Sequence, residues 1–400
     1  MWINQSLKNS NTVENYQENP FKFLKVGDTN QEANAVVRNW YVARDYVIKN
    51  MHLCDHVFEP GDTGHLHVVI PNDSPRMLFI ARQVALMSHF LNFIDDSLDE
   101  SERRRTVITI VSHNAEIKEV LEREDYLCNL PKYCKFVNID GTMTNENSYI
   151  DIEIHIVGNL PQIDPEDINT ILVDAAAVET YFEEFVEVPD DHPIFRIDTR
   201  NAFYSSKVYD IGAAYTNIPT EDIHCIERYL RALHILRDDV LNKPFVPMFD
   251  EDKFAKVRSN QLGIYSIKMD ISNILCADCF EIRKKSIEKI CKGRETTREV
   301  WENNIEMLSR SEHARWVVEK LILGYRPLSV GEKYNLENLH IEFNAAMKKK
   351  QYLNGLKNRD KDPAHIDICS YADLRRIKPE DLKYDSFLML AIPLILEKFG

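Results

Sequence analysis

Residues 66–93 read LHVVIPNDSPRMLFIARQVALMSHFLNF, and their rhythm changes twice. Leu66 to Ile70 is a short apolar run rich in β-branched residues, which predicts a buried strand. Pro71-Asn72-Asp73-Ser74-Pro75 is turn chemistry. Arg76 to Phe90 then repeats its apolar positions with helical spacing. A strand that turns directly into a long apolar helix is the opening of a β–α unit, and the stretches around it repeat the alternation.

Thr106 to Val111 (TVITIV) is a second β-branched run, followed by a helical pattern from Asn114 to Arg123. Phe136 to Ile139 is a third. Ile150, Ile152, Ile154 and Ile156 alternate with Asp151, Glu153 and His155, as a strand with one apolar face requires. Thr170 to Val173 and Ile194 to Ile197 bracket a further helix, Ala175 to Phe185. Strands alternating with helices predict an open, largely parallel sheet, an α/β fold of Rossmann-like type. Upstream, Val36, Val37, Trp40, Ala43 and Val47 mark an amphipathic helix within Glu32 to Met51. After Thr199 the β signal fades. Ile223 to Val240, Ile264 to Ile290 and Thr297 to Leu323 read as helices.

The chain has 400 residues, enough for two or three domains. Its formal charge of −15 speaks against a general nucleic-acid or anionic-membrane binder, either of which needs a basic surface. A small anionic ligand in a locally basic pocket remains compatible with it. Eight cysteines without scaffold spacing fit a reduced compartment. The Asn-, Gln- and Ser-rich start has no apolar signal core. The apolar run Phe387 to Leu396 carries Pro393 and falls short of the roughly 20 residues that span a bilayer. The sequence therefore reads as a cytoplasmic protein without membrane or nucleic-acid partners, and a homo-oligomer is compatible with it.

A dinucleotide site would declare itself in the first β–α turn, where glycines let backbone N–H groups approach a pyrophosphate. Here the turn has no glycine. Asn72, Ser74 and Arg76 are the candidate cofactor-binding residues, because they surround the free N–H groups at the start of the helix. Asp73 opposes an anion there. A nucleotide or dinucleotide is the only cofactor the sequence raises.

Other clusters read as structure. Cys276 and Cys279 form a lone C-x-x-C in a helical pattern, without the second pair that zinc needs. His65 and His67 share one strand face and lack a third ligand, so no metal site is predicted. Asp95, Asp96, Asp99 and Glu100 beside Arg103, Arg104 and Arg105 read as a solvated loop. Lys348, Lys349, Lys350, Lys357 and Arg359 form a locally basic insert. No nucleophile–base signature and no P-loop occurs, so the chain is read as non-catalytic; an NAD(P)-dependent enzyme and a pure interaction scaffold are the alternatives.

A second decisive stretch is Glu312 to Pro327, EHARWVVEKLILGYRP. As a helix it places Glu312, Arg315, Trp316 and Glu319 on one broad face. His313, Trp316 and Lys320 lie on an overlapping one. Gly324 stands where a left-handed residue would end the helix, and Pro327 prevents its resumption. The polar groups serve either to tie down the following segment or to contact a ligand.

Together with HIDICSYADLRRIKPEDLKYDSFLML after Ala364, this stretch resembles the RyR domain, the repeat unit of ryanodine receptors that also occurs singly in bacterial proteins. Glu312, His313, Trp316, Gly324 and Tyr325 match its first motif. His365, Ile368, Tyr371, Leu374, Lys383, Tyr384 and Asp385 match its second. Upstream, the strand at His67, the helix into Ser88-His89-Phe90-Leu91-Asn92-Phe93 and the strand Arg105 to Ile110 are similar to the TrkA-N-like Rossmann domains that bacterial proteins fuse to RyR domains. The turn glycines of that family are missing.

The polar start, the strand–helix alternation and the resemblance together divide the chain into four regions: a flexible arm at 1–31, a Rossmann-like domain at 32–200, a helical connector at 201–300 and an α-helical RyR-like domain at 301–400. The resemblance further implies a regulatory or sensing role, because bacterial RyR domains have been proposed as readers of nucleotide-derived signals, including in antiviral defence. His313, Arg315, Trp316, Tyr325 and Tyr371 are then the candidate ligand-binding residues, with a small nucleotide-like molecule as partner.

Overall fold

The computed structural model describes residues 58–97, Asp99, 103–123, 126–159, 280–291, 298–339 and 344–386. It also describes the strand segments 170–173, 194–196 and 208–210 and the single positions Ala43, Val47 and Met389. The elements in chain order are β1 (His67–Ile70), α1 (Pro75–Met87), β2 (Thr106–Val111), α2 (Ile117–Leu121), α3 (Leu130–Tyr133), β3 (Lys135–Val137), β4 (Met143–Thr144) and β5 (Ile152–Val157). There follow β6 (Thr170–Val173), β7 (Ile194–Arg196), β8 (Val208–Asp210), α4 (Phe280–Cys291) and the long α5 (Arg298–Ile322). The chain continues through α6 (Val330–Asn338), α7 (Ala345–Lys357) and α8 (Tyr371–Ile377).

The strands form one sheet in the order β4-β3-β5-β2-β1-β6-β7-β8, parallel at every pairing except β3 with β4. This is an α/β architecture with a mixed, mostly parallel sheet. Register explains the apolar alternation: Val68, Ile108, Ile154 and Phe136 face one another across four neighbouring strands. All four are buried in one core with α1 and α5. The next residues along, Val107 and Glu153, point to the opposite face, where Glu153 meets Lys135 Nζ at 3.0 Å.

Helix α1 is apolar nearly all round, as a helix covered on several sides must be. Met77, Leu78, Phe79, Ile80, Ala81, Val84, Ala85, Leu86 and Met87 are all enclosed. It packs against β1, β2 and α5, so it lies between the sheet and the long helix. Each such side chain contributes roughly 1.5–3 kcal/mol on leaving water. This layer makes the C-terminal helix part of the same core as the sheet.

Several sequence readings shift. The helix predicted from Asn114 begins only at Ile117, because the Asn114 side chain accepts the Glu116 N–H at 2.9 Å and holds an Asx turn first. An eighth strand, β8, lies beyond the point where the β signal fades. The acidic loop is not solvated throughout. Asp95 is buried by the C-terminal helices, and Arg105 is buried while donating to the carbonyls of Ile150 at 3.1 Å and Ser148 at 2.8 Å. The arm at 1–31, the helices Ala175 to Phe185 and Ile223 to Val240, Cys276, Cys279 and the run Phe387 to Leu396 (Met389 excepted) fall outside the described residues. Ala43 and Val47, from the helix read at Glu32 to Met51, are helical and buried. Among the described residues no helix is long and apolar enough to cross a membrane.

Candidate functional site

Helix α5 ends as its sequence requires. Gly324 adopts φ +86, the Gly324 N–H reaches the Leu321 carbonyl at 3.0 Å, and the Tyr325 N–H reaches Lys320 at 2.9 Å. This pair of bonds is a Schellman cap. Beyond it, a parallel bridge joins Arg326 to Ala364: the Arg326 N–H reaches Pro363 O at 3.0 Å, and the His365 N–H reaches Arg326 O at 2.9 Å. The bridge sets the segment around His365 beside the end of α5.

On α5 the three charged residues of the face predicted from spacing are fully buried, while Trp316 is partly buried. Arg315 Nε donates to Glu312 at 3.0 Å and Nη1 donates to Glu319 at 2.8 Å, with no side-chain exposure on any of the three. Burial pushes the Glu319 carboxyl up, but Lys320 and Arg315 outweigh it and hold it below its ordinary value. Next to Glu312, His313 Nδ1 lies 3.2 Å from Asp385 Oδ2 and Nε2 lies 3.0 Å from the Cys369 carbonyl. Burial works against charge on His313, yet the Asp385 carboxylate and the two hydrogen bonds raise it well above the usual histidine range.

Four of the five candidate ligand residues join His365 in one chain of ring contacts. The Trp316 ring stands edge-on to His365 at 5.0 Å and stacks on His313 at 6.2 Å. Tyr325 meets His365 at 6.3 Å, and Tyr371 meets His313 edge-on at 5.7 Å. Lys320 Nζ lies 5.4 Å from the centre of the Trp316 ring, which is only partly buried. His365 is driven well below the usual histidine range by burial, with Lys357, Lys320 and Lys378 adding to the effect, so it is a neutral ring. The fifth candidate, Arg315, is enclosed behind this cluster.

Beside the cluster lies a crevice of ≈ 10 Å³, about the room that one water needs, between the sheet's amino-terminal edge and α5. Asp95, Tyr149, Asp151, Arg310, His313 and Cys369 are among its lining residues. Asp95 accepts from Arg310 Nη1 at 2.7 Å and from the backbone N–H of Tyr371. Burial raises its carboxyl above the ordinary value, against the pull of the Tyr371 N–H and Arg310. His89 Nδ1 pairs with Asp151 Oδ2 at 2.8 Å, while His89 Nε2 and Asp151 Oδ1 are buried without a hydrogen-bond partner. Groups so placed cost on the order of 1–3 kcal/mol each. Asp95, Arg310, His89 and Asp151 escape sequence reasoning, because their pairings join residues far apart in the chain and no local pattern marks them.

The other candidate region lies at the carboxyl end of β1, where the strand order reverses between β2 and β6. Such switch points open ligand crevices in α/β sheets. Here the Asn72 side chain accepts the Ser74 N–H at 3.0 Å, and Asp73 Oδ2 accepts the Ser112 hydroxyl at 2.6 Å. Ser74 caps α1 without a side-chain bond, and its Oγ has no partner. Arg76 stands in the first turn of α1; its side chain lies outside the described residues. His67, on β1, pairs through Nε2 with Thr109 Oγ1 at 2.7 Å. Comparison with family models, curated proteins and solved structures finds no match to this chain.

Proposed function

We propose that the protein is a non-catalytic ligand-sensing or regulatory protein whose C-terminal region is an RyR-like module taking a small nucleotide-derived ligand. The observation that supports this reading is the ring cluster at the end of α5. Trp316 is partly buried, with Lys320 over its ring and the neutral His365 at its edge. A flat ring beside a cation and an imidazole offers stacking and charge to a base-bearing anion. Trp316 and Tyr325 supply surfaces, Tyr371 supplies a polar contact, His313 supplies one where it is released from Asp385 and the Cys369 carbonyl, and Arg315 braces the helix.

The turn at Asn72, Ser74 and Arg76 is the less favoured place for a nucleotide. A phosphate there would meet the Asp73 carboxylate, which Ser112 already holds at 2.6 Å. A thermal-shift screen of linear and cyclic nucleotides tests the reading, since a ligand of the native state raises apparent stability by mass action. A shift with at least one nucleotide is expected. Flat melting curves across the panel at millimolar ligand would sink it.

A further inference from the structure

The crevice beside the ring cluster holds only ≈ 10 Å³, and His313, Tyr325 and Tyr371 of the cluster are buried, so these three side chains reach a ligand only when the cluster opens. We propose that residues 369–386, centred on α8, are a lid over the ring cluster and that Asp95 on the sheet side is its latch. The purpose of the lid rests on the ligand reading above; its existence does not.

The fastenings of this segment differ in kind from those of its neighbour. Helix α5 contributes Val317, Val318, Leu321 and Ile322 to the core shared with the sheet. The segment over it is secured mainly by polar contacts. His313 holds the Cys369 carbonyl at 3.0 Å, Ser309 meets Ser386 at 3.1 Å, and Arg375 pairs with Glu306 on the surface. Within α8 only Tyr371 and Leu374 are buried, whereas Arg375, Arg376 and Ile377 are exposed. Elements held by few apolar contacts open before the globule does.

Asp95 is where this seam reaches the sheet. One carboxylate oxygen takes the N–H of Tyr371, the first residue of α8, and the other takes Arg310. The Arg310 guanidinium in turn lies 5.4 Å from the centre of the Tyr371 ring. Loss of the Asp95 carboxylate therefore unfastens the α8 backbone and leaves the cation that covers its tyrosine to Asp96, which accepts from the same Arg310 Nη1 at 2.6 Å. The buried, unpartnered His89 Nε2 and Asp151 Oδ1 lie close behind and gain water on opening, which favours the open state.

Amide hydrogen exchange of the intact protein tests the latch without any ligand, comparing the wild type with Asp95→Ala and with the milder Arg310→Gln. Exchange at residues 371–377 should speed at least ten-fold in Asp95→Ala, and by a smaller factor in Arg310→Gln. Amides of β1 and β2 should keep their protection. Unchanged exchange in α8 would overturn the proposal. So would protection falling equally in α8, β1 and β2 in both variants, because the segment would then belong to one cooperative unit. A nucleotide screen without a hit removes the ligand reading but leaves this result standing.

Discussion

His313 on α5 and Asp385 in the helical residues 382–386 face each other at 3.2 Å, with the Cys369 carbonyl 3.0 Å from the other ring nitrogen. A carboxylate and a carbonyl both accept, so both ring nitrogens donate and the buried ring carries charge. The ring thereby ties three segments together.

This arrangement sets a pH dependence. The folded protein holds the His313 proton more tightly than the unfolded chain, where histidine titrates near 6.5. The stabilisation is therefore complete below about 6.5 and lost as pH rises through the raised folded value. Urea melts from pH 6 upward should show stability declining on the alkaline side. His313→Gln should be less stable at pH 6 and lack that decline; an identical pH profile in the variant would assign the dependence elsewhere.

Arg315 neutralises two enclosed carboxylates, Glu312 and Glu319. Removing one partner of a buried pair leaves uncompensated charge, so Arg315→Ala should cost about 3–5 kcal/mol. Arg359 pairs with Glu332 at 2.9 Å but is itself 44% exposed, and Arg359→Ala should cost about 0–1 kcal/mol. Equilibrium denaturation of the two variants checks the contrast.

Gly324→Ala isolates backbone strain. A Cβ there would meet only Cys128 Sγ, at an ordinary contact of 3.7 Å. The cost comes from φ +86, which an L side chain disfavours by roughly 1–2 kcal/mol. Gly324→Asn should recover part of it. A neutral alanine variant in urea melts would show that the cap is not held in this conformation.

Trp316→Ala separates packing from binding. The ring is partly buried against the core, so its loss should cost less than the roughly 3–5 kcal/mol of a fully buried aromatic and leave a folded protein. Any nucleotide-induced thermal shift should disappear. A variant that folds and still responds would move the ligand contact away from this ring.

Much of the fold was legible because its signals are local. Leu66 to Ile70 and Thr106 to Val111 read as strands from composition and length, and the matching strands lie at His67–Ile70 and Thr106–Val111. The stop of α5 at Gly324 follows from one residue without a Cβ. The site was legible only in part. Glu312, Arg315 and Glu319 share a helical face, so their meeting was visible as spacing, whereas their complete burial was not.

Sequence by itself determined the alternation of strand and helix, the capped long helix and the missing glycines of the first β–α turn, since each depends on neighbours along the chain. Tertiary structure alone decided the strand order, the enclosure of α1 between sheet and α5, and the partners of Asp95. That loop looks solvated in isolation, because its acids and bases are as suited to water as to one another. Asp95 is buried only because α5 and α8 fold back over it, and a contact made across such a distance in the chain leaves no periodic trace.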